Sequence, residues 1–468
     1  MSDTWTNLFE PQSVAVIGAS SSAGKPGHEV IRNLQANGYE GRIHLVNPKG
    51  GEILGLPVET AIDSLPDGID LAIVIVPAAS TTEAVRRCAA KGIKTFVLAA
   101  GGYSEVDERG EELQRELERT ITELGVRAIG PNTSGNISTP HKFTSSFFPL
   151  GWIRPGNISY ITQTGNFATH TQRYMTSGEY FGTSRVIGLG NKIDIDENEA
   201  LEYLANDPET KAIFLYLESL KRPREFLTIA RKAAAKKPVF MLKGGTSAEG
   251  SAAAIAHTAS LASDARIIEA ALHQSCVTQL TDYSQLFHVA KAVSSMPLPR
   301  GNRVSFLAPS GAMLVVLTDL CRQRWDLVVP DLLEENRQRL QDIGPNWLRM
   351  RNPVDIWGPA LVHGIENSHR LALEAVLDDP NIDAAVVVLV VVDDLGRPNL
   401  DFLVDTARKY PDKPLYVTFS GIKERMEEAK AYLEPRGVPT YPFIEQPFEV
   451  LSVLARTRQL MERARQSE

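Results

Sequence analysis

Short apolar, β-branched runs alternate with amphipathic stretches from one end of the chain to the other. The clearest runs are SVAVIG from Ser13, RIHLVN from Arg42, LAIVIVP from Leu71 and TFVLAA from Thr95. They continue with NISYITQ from Asn157, SRVIGLG from Ser184, AIFLYLE from Ala212 and PVFMLK from Pro238. RVSFLAP from Arg303, AAVVVLVVV from Ala384 and PLYVTF from Pro414 complete the series. Continuous rather than alternating apolarity implies burial on both faces, the condition of a parallel sheet covered by helices. The pattern predicts an α/β chain of doubly wound units.

Two stretches punctuate it: the Pro/Gly-containing segment Pro149–Pro155 and SSMPLPRGN, Ser294–Asn302. They predict three units, residues 1–150, 151–297 and 298–468. The second and third read as copies of one design. Each opens with a strand running into a small-residue turn and a helix, ITQTGN from Ile161 and LAPSGA from Leu307. Each later carries an Asn followed closely by Asp, NKIDID from Asn191 and NPVDI from Asn352.

Bulk properties narrow the class. A chain of 468 residues accommodates three units of about 100–200 residues each. The three cysteines, Cys88, Cys276 and Cys321, form no CxxC pair, which argues against a zinc site or disulfide framework and suits a reducing compartment. A formal charge of −8 with the signs mixed argues against a nucleic-acid surface. The longest apolar run, Ala384 to Val392, falls short of the about 20 residues a membrane span needs. MSDTWTNLFEPQ has no basic segment followed by an apolar one, so no secretory leader and a cytoplasmic location are expected.

Candidate chemistry begins at VIGASSSAGKPG, Val16 to Gly27, where a glycine-rich turn joins a strand to a helix. Such a turn lets the backbone approach a phosphate, and the helix N-terminus favours its charge. It also serves simply as a tight turn. The second strand ends in Val46-Asn47-Pro48-Lys49, whereas NAD sites end it with an acid that binds the ribose. A lysine there suits the 3′-phosphate of CoA, the 2′-phosphate of NADP, or a solvated turn.

The stretch Gly244–Asp264, GGTSAEGSAAAIAHTASLASD, is nearly all Gly, Ala, Ser and Thr around one imidazole, His257. Long loops inside compact domains are often functional. A surface histidine is the plain alternative. Thr162-Gln163-Thr164-Gly165 sits between a strand and a helix, where hydroxyls and free N–H groups bind phosphate. Glu218 ends the strand AIFLYLE; it can orient an imidazole or pair with Lys221 or Arg222. His170 lies one helical turn beyond Asn166.

In order and spacing, Gly18-Ala19-Ser20, Val46-Asn47-Pro48-Lys49, Val76-Pro77 and Gly130-Pro131-Asn132 resemble the CoA-binding domain of ADP-forming acyl-CoA synthetases. Lys49-Gly50-Gly51 and Leu54-Gly55-Leu56-Pro57-Val58 are similar to the succinyl-CoA synthetase alpha subunit. Ala256-His257-Thr258-Ala259-Ser260-Leu261-Ala262 resembles the S-H-T-G-S-L-A phosphohistidine motif, with Ala256 and Ala259 replacing Ser and Gly. Thr162-Gln163-Thr164-Gly165 stands where the family has S-x-S-G, and Asn166 replaces an Ala. Ala308–Ala312 and Asn352-Pro353-Val354-Asp355 match motifs of the same family, in a unit expected to serve as an interface.

The resemblance implies a Rossmann-like CoA-binding domain followed by two flavodoxin-like ligase domains. It implies CoA contacts from Gly18, Ser20, Lys25, Asn47, Lys49, Val76, Pro77 and Asn132. It implies phosphate contacts from Thr162, Thr164, Gly165 and Asn166, and catalysis by His257 with Glu218. The implied reaction makes acyl-CoA from a small carboxylic acid, CoA and ATP through a phosphohistidine and an acyl phosphate. No Walker A pattern occurs, so ATP/ADP and Mg2+ are expected on a separate ATP-grasp beta subunit in a hetero-oligomer. A catalytically degenerate acyl-CoA sensor and an NADP-dependent oxidoreductase remain as other readings.

Overall fold

A computed structural model describes residues 2–163, 165, 170–247, 249–250, 265–393 and 398–466. The described residues gather into two compact units, one from 2–279 with 464–466, the other from 280–463.

The first unit holds two sheets. One is built from β1 (Ser13–Ile17), β2 (Arg42–Val46), β3 (Glu52–Ile53), β4 (Leu56–Glu59), β5 (Leu71–Val74), β6 (Thr95–Leu98) and β7 (Arg127–Ile129). Their order is β3-β4-β2-β1-β5-β6-β7, parallel except for β3 against β4. Every residue of β1, β5 and β6 is buried, as continuous apolarity requires. Helices α1 (Ser2–Phe9), α2 (Pro26–Ala36), α3 (Ala78–Ala90) and α4 (Glu108–Leu124) accompany this sheet. The start of α4 is set locally: Asp107 caps it by accepting from the Gly110 amide at 2.8 Å, and Glu108 and Glu111 complement the helix dipole. Strand order reverses at β1, so the crevice beyond the C-terminal ends of β1 and β5 is the expected ligand position of such a sheet.

The other sheet comprises β8 (Asn136–Ser138), β9 (Phe143–Thr144), β10 (Pro155–Thr162), β11 (Thr183–Gly188), β12 (Ala212–Leu217), β13 (Val239–Lys243) and β14 (Thr278–Gln279). The order is β14-β13-β12-β10-β11-β8-β9. The five strands β10 to β14 are parallel in flavodoxin-like order, and β8 and β9 extend the β11 edge antiparallel. Helices α5 (His170–Gly178), α6 (Glu197–Asn206) and α7 (Pro223–Lys236) follow β10, β11 and β12.

The two sheets are stitched together. Ile193 and Ile195 donate backbone hydrogen bonds to Gly130 and Ala128, each at 3.2 Å, so residues 193–195 run along the free edge of β7. The Ile193 side chain is buried in the core of the first sheet. Arg127 reaches Asp194 at 2.9 Å and Glu199 at 2.8 Å.

The second unit carries β15 (Val304–Ala308), β16 (Val354–Asp355), β17 (Ala384–Val391), β18 (Leu415–Gly421) and β19 (Thr440–Tyr441), all parallel in the order β16-β15-β17-β18-β19. Counted from the first parallel strand, this repeats the order of β10 to β14, as the paired motifs implied. The helix Gln285–Ser295 belongs here: Lys291 donates to Glu434 at 2.8 Å and to the Thr440 carbonyl at 3.1 Å. No helix among the described residues is long and apolar enough to cross a membrane.

Candidate active site

The turns at the C-terminal strand ends of the first sheet gather most of the proposed CoA contacts. Gly18 leaves β1 with φ +96°, and a Cβ there would lie 2.5 Å from the Ile75 carbonyl, so only glycine lets the β1 and β5 turns approach this closely. Asn47 fastens the β2 turn to this one: its amide donates to the Ala19 carbonyl at 2.7 Å, and its oxygen accepts from the Lys49 amide at 2.9 Å. Lys49 and Lys25 are exposed, Ser20 and Val76 are half-buried, and Lys25 and Pro77 are the N-caps of α2 and α3. Ser20 accepts from the Ser22 amide at 3.2 Å. Asn132 stands exposed beyond β7 with φ +57°, its amide donating to the Ala100 carbonyl at 2.8 Å.

The turn after β10 sits at the centre of the second sheet. Leu189 donates to the Thr162 carbonyl at 2.8 Å, and the Gln163 amide donates to Tyr216 at 3.0 Å. Thr162 is fully buried. A Cβ placed on Gly165 would be 3.7 Å from Ser134. The turn thus lies against the segment that begins at Asn132. Thr133 strengthens this by donating to the Gly188 carbonyl at 2.5 Å. Thr164 and Asn166 lie outside the described residues, as do His257 and its neighbours Ala256 and Ala259. His170 opens α5.

Glu218, buried just past β12, is held by residues that motif reading passed over. The Gln163 side-chain oxygen accepts from the amides of Glu218 at 2.9 Å and Ser219 at 3.0 Å. Tyr216 donates to the Glu218 carboxylate at 3.4 Å. The Lys243 ammonium, at the end of β13, donates to the Glu218 carbonyl at 2.7 Å and to the Gly244 carbonyl. Burial pushes the Lys243 pKa down, against the opposing charge of Glu218. Lys243 therefore ties the Glu218 turn to the first residue of the small-residue stretch that carries His257. Lys192 is buried too, donating to Glu197 at 3.0 Å and to the Ser219 carbonyl at 2.9 Å. The two neighbouring cations offered by the sequence as alternative partners, Lys221 and Arg222, make other contacts. Lys221 donates to the carbonyls of Lys192 and Ile193, and Arg222 pairs with Asp196 and Glu225. A lysine closing the apolar run PVFMLK just before the small-residue stretch was a legible signal for Lys243; nothing in the pattern marked Lys192.

Comparison with known proteins supplies the family. Residues 12–138 match a CoA binding domain family, and residues 155–293 match the succinyl-CoA ligase like flavodoxin domain. The alpha subunit of acetate–CoA ligase [ADP-forming] I from Pyrococcus furiosus is 34% identical over 455 residues, covering 96% of each chain. The chain belongs to the ADP-forming acyl-CoA ligase family. Another member, acetate–CoA ligase [ADP-forming] II of Archaeoglobus fulgidus, is 35% identical over 95% of this chain, which spans 66% of that protein's length. Among solved structures, an acetyl-coenzyme A synthetase 1 of Ca. Korarchaeum cryptofilum superposes with a TM-score of 0.89 at 28% identity, over 99% of both chains. The same enzyme in complex with phosphate and ADP matches equally, over 98% of this chain and 99% of that one. The likeness to that enzyme extends over nearly the whole chain.

Proposed function

We propose that this chain is the CoA-binding, phosphoryl-carrying part of an acid–CoA ligase that works with a separate ATP-grasp subunit. One arrangement supports the reading above all: the segment from Asn132 packs on the turn Thr162–Gly165, so a thiol and a phosphoryl group bound at the two turns would be neighbours. The Pyrococcus furiosus relative is an alpha subunit, and this chain covers 96% of it.

In this mechanism an imidazole nitrogen of His257 attacks the γ-phosphorus of ATP, forming N–P as P–O breaks and ADP leaves. The Glu218 carboxylate accepts the other ring N–H and stabilises the developing positive charge. The N–H groups of the turn before α5 take the phosphoryl charge. The acid's carboxylate then takes the phosphoryl, breaking N–P. The thiolate of CoA attacks the acyl carbon, and phosphate departs.

The test is reconstitution. The purified chain with ATP, Mg2+, acid and CoA forms no acyl-CoA, and a cognate ATP-grasp subunit restores turnover. Sustained ATP-dependent synthesis by the chain alone would overturn the two-subunit reading. A chain that binds acyl-CoA tightly yet never turns over with its partner would favour the sensor.

Lys49 distinguishes CoA from the nicotinamide alternative. Its exposed ammonium at the end of β2 is suited to the 3′-phosphate. Calorimetry is expected to give weaker binding of dephospho-CoA than of CoA, and Lys49→Ala to remove the difference. A charge-assisted contact contributes about 1.5–3 kcal/mol, about tenfold or more in affinity. Equal binding of the two ligands by the unaltered chain would remove this role, and tighter binding of NADP would favour the oxidoreductase.

A further inference from the structure

Three loops from two sheets meet at one small set of side chains. The Glu105 carboxylate accepts from the amides of Gly102 at 2.7 Å and Tyr103 at 3.1 Å through one oxygen. Through the other it accepts from the Asn191 amide at 2.8 Å, across 86 residues of chain. Asn191 also donates to Gln114 at 2.9 Å and accepts from Asn132 at 3.5 Å. Its backbone amide donates to the Pro131 carbonyl at 2.9 Å. A Cβ at Gly190, where φ is +57°, would run into Pro131, so the two loops touch backbone to backbone. Gln114 closes the ring by accepting from Ser104 at 2.9 Å.

The ring stands between two functional turns. On one side it holds Asn132 and the loop after β6. On the other, Asn191 is followed by Lys192, whose ammonium grips Ser219 beside Glu218, and it is preceded by Leu189, bonded one residue short of Gly190 to Thr162. We propose that Glu105 and Asn191 form a latch coupling CoA occupancy in the first sheet to the placement of the phosphate turn and Glu218 in the second. Glu105 acts in it as a positioning residue for acyl transfer to the thiol. This rests on the CoA-binding reading given above.

A role as base for the thiol is the competing one. Burial raises the Glu105 pKa, but the hydrogen bonds from Asn191 and from the Gly102 and Tyr103 amides outweigh it and hold the carboxyl below its ordinary value. A thiol of ordinary pKa about 8.5 gains little from so weak a base. The carboxylate's two oxygens are instead spent on three N–H groups that fix loop geometry.

Glu105→Gln isolates the latch. The amide oxygen can still accept from Gly102 and Tyr103, while its NH2 meets the NH2 of Asn191, donor against donor. Hydrogen exchange of residues 189–195 is followed in the full chain with and without CoA. The unaltered chain is expected to slow about tenfold on binding CoA, a coupling of about 1.4 kcal/mol. Glu105→Gln is expected to lose this response while keeping CoA affinity within about threefold. Combining it with Asn191→Asp, which turns the donor into an acceptor, is expected to restore the response. In the complex with its ATP-grasp partner, Glu105→Gln lowers kcat for acyl transfer to CoA about tenfold and leaves phosphorylation of the chain unchanged. A chain that binds CoA with no change at 189–195, or a Glu105→Gln variant that responds like the unaltered chain, overturns the latch alone. Equal loss of phosphorylation and acyl transfer also overturns it, because the role would then be general folding. Failure to bind CoA at all overturns the CoA reading and the latch with it.

Discussion

His257→Ala is expected to abolish both phosphoryl labelling and acyl-CoA formation in the complex with the ATP-grasp subunit. The loss should be on the order of 10⁴-fold or more, because a nucleophile is removed and nothing in Ala256–Ala262 replaces it. The unaltered complex with ATP and Mg2+ should acquire one phosphoryl group that is lost in acid and survives base, as a phosphoramidate does and a phosphoserine does not. His257→Asn should behave in the same way. Glu218→Gln should label and turn over more slowly with the fold intact, since an amide stabilises a developing imidazolium less well than a carboxylate. The side chains that seat the 218–219 turn act on its backbone, at Glu218 N, Ser219 N and the Glu218 carbonyl, and so survive that change. Labelling that persists in His257→Ala would move the chemistry elsewhere, with His170 at the start of α5 the next residue to test.

Lys192→Met is expected to be among the most destabilising single changes in the first unit. The ammonium and its partner Glu197 are 4% and 0% exposed, 3.0 Å apart. Removing the cation leaves a carboxylate buried without its counter-charge, which costs about 3–5 kcal/mol. The backbone at Lys192 has φ +56°, equally awkward for methionine, so the substitution isolates the charge. The denaturant midpoint should fall accordingly without a change in slope. Adding Glu197→Gln removes the stranded charge and keeps an acceptor for the Lys221 amide, which bonds Glu197 at 2.6 Å. The double variant should therefore regain most of the loss. If it is no more stable than Lys192→Met, the charge is not the cause. Because Lys192 also grips Ser219, the double variant should remain impaired in turnover after its stability returns.

The sheets were legible because a parallel strand covered on both faces must be apolar at nearly every position. Val14–Ile17, Leu71–Val74 and Ala384–Leu389 are short, apolar and rich in β-branched residues, and all of them are buried. The motif positions were legible for a related reason. In a parallel sheet every strand ends at the same edge, so Gly18, Asn47, Val76, Thr162 and Glu218, each at or just after the end of a strand in sequence, were bound to lie at C-terminal strand ends. The repeated order of β10–β14 and β15–β19 agrees with the reading of the two stretches as copies of one design.

What joins the two sheets of the first unit was settled only in three dimensions. β8 lies before residue 150 in the chain yet pairs with β11, carrying β9 on its far side, and Ile193 and Ile195 lie far beyond it yet run along β7. A short apolar run states that it will be buried, but not against which of two available edges, because both offer the same backbone donors and acceptors. The contacts that seat Glu218 have the same character. Gln163 occupies the unspecified position of its motif, and Glu105 meets Asn191 across turns in which Asn132, Gly190 and Lys192 adopt left-handed backbone. Apolar pattern and motif order were enough for the layered α/β architecture and for the strand-end edge where the candidate residues lie, and they named the imidazole proposed as the phosphoryl carrier. Tertiary structure alone decided which polar groups meet across those edges, since the free energy of such a pairing depends on loop geometry that no local periodicity encodes.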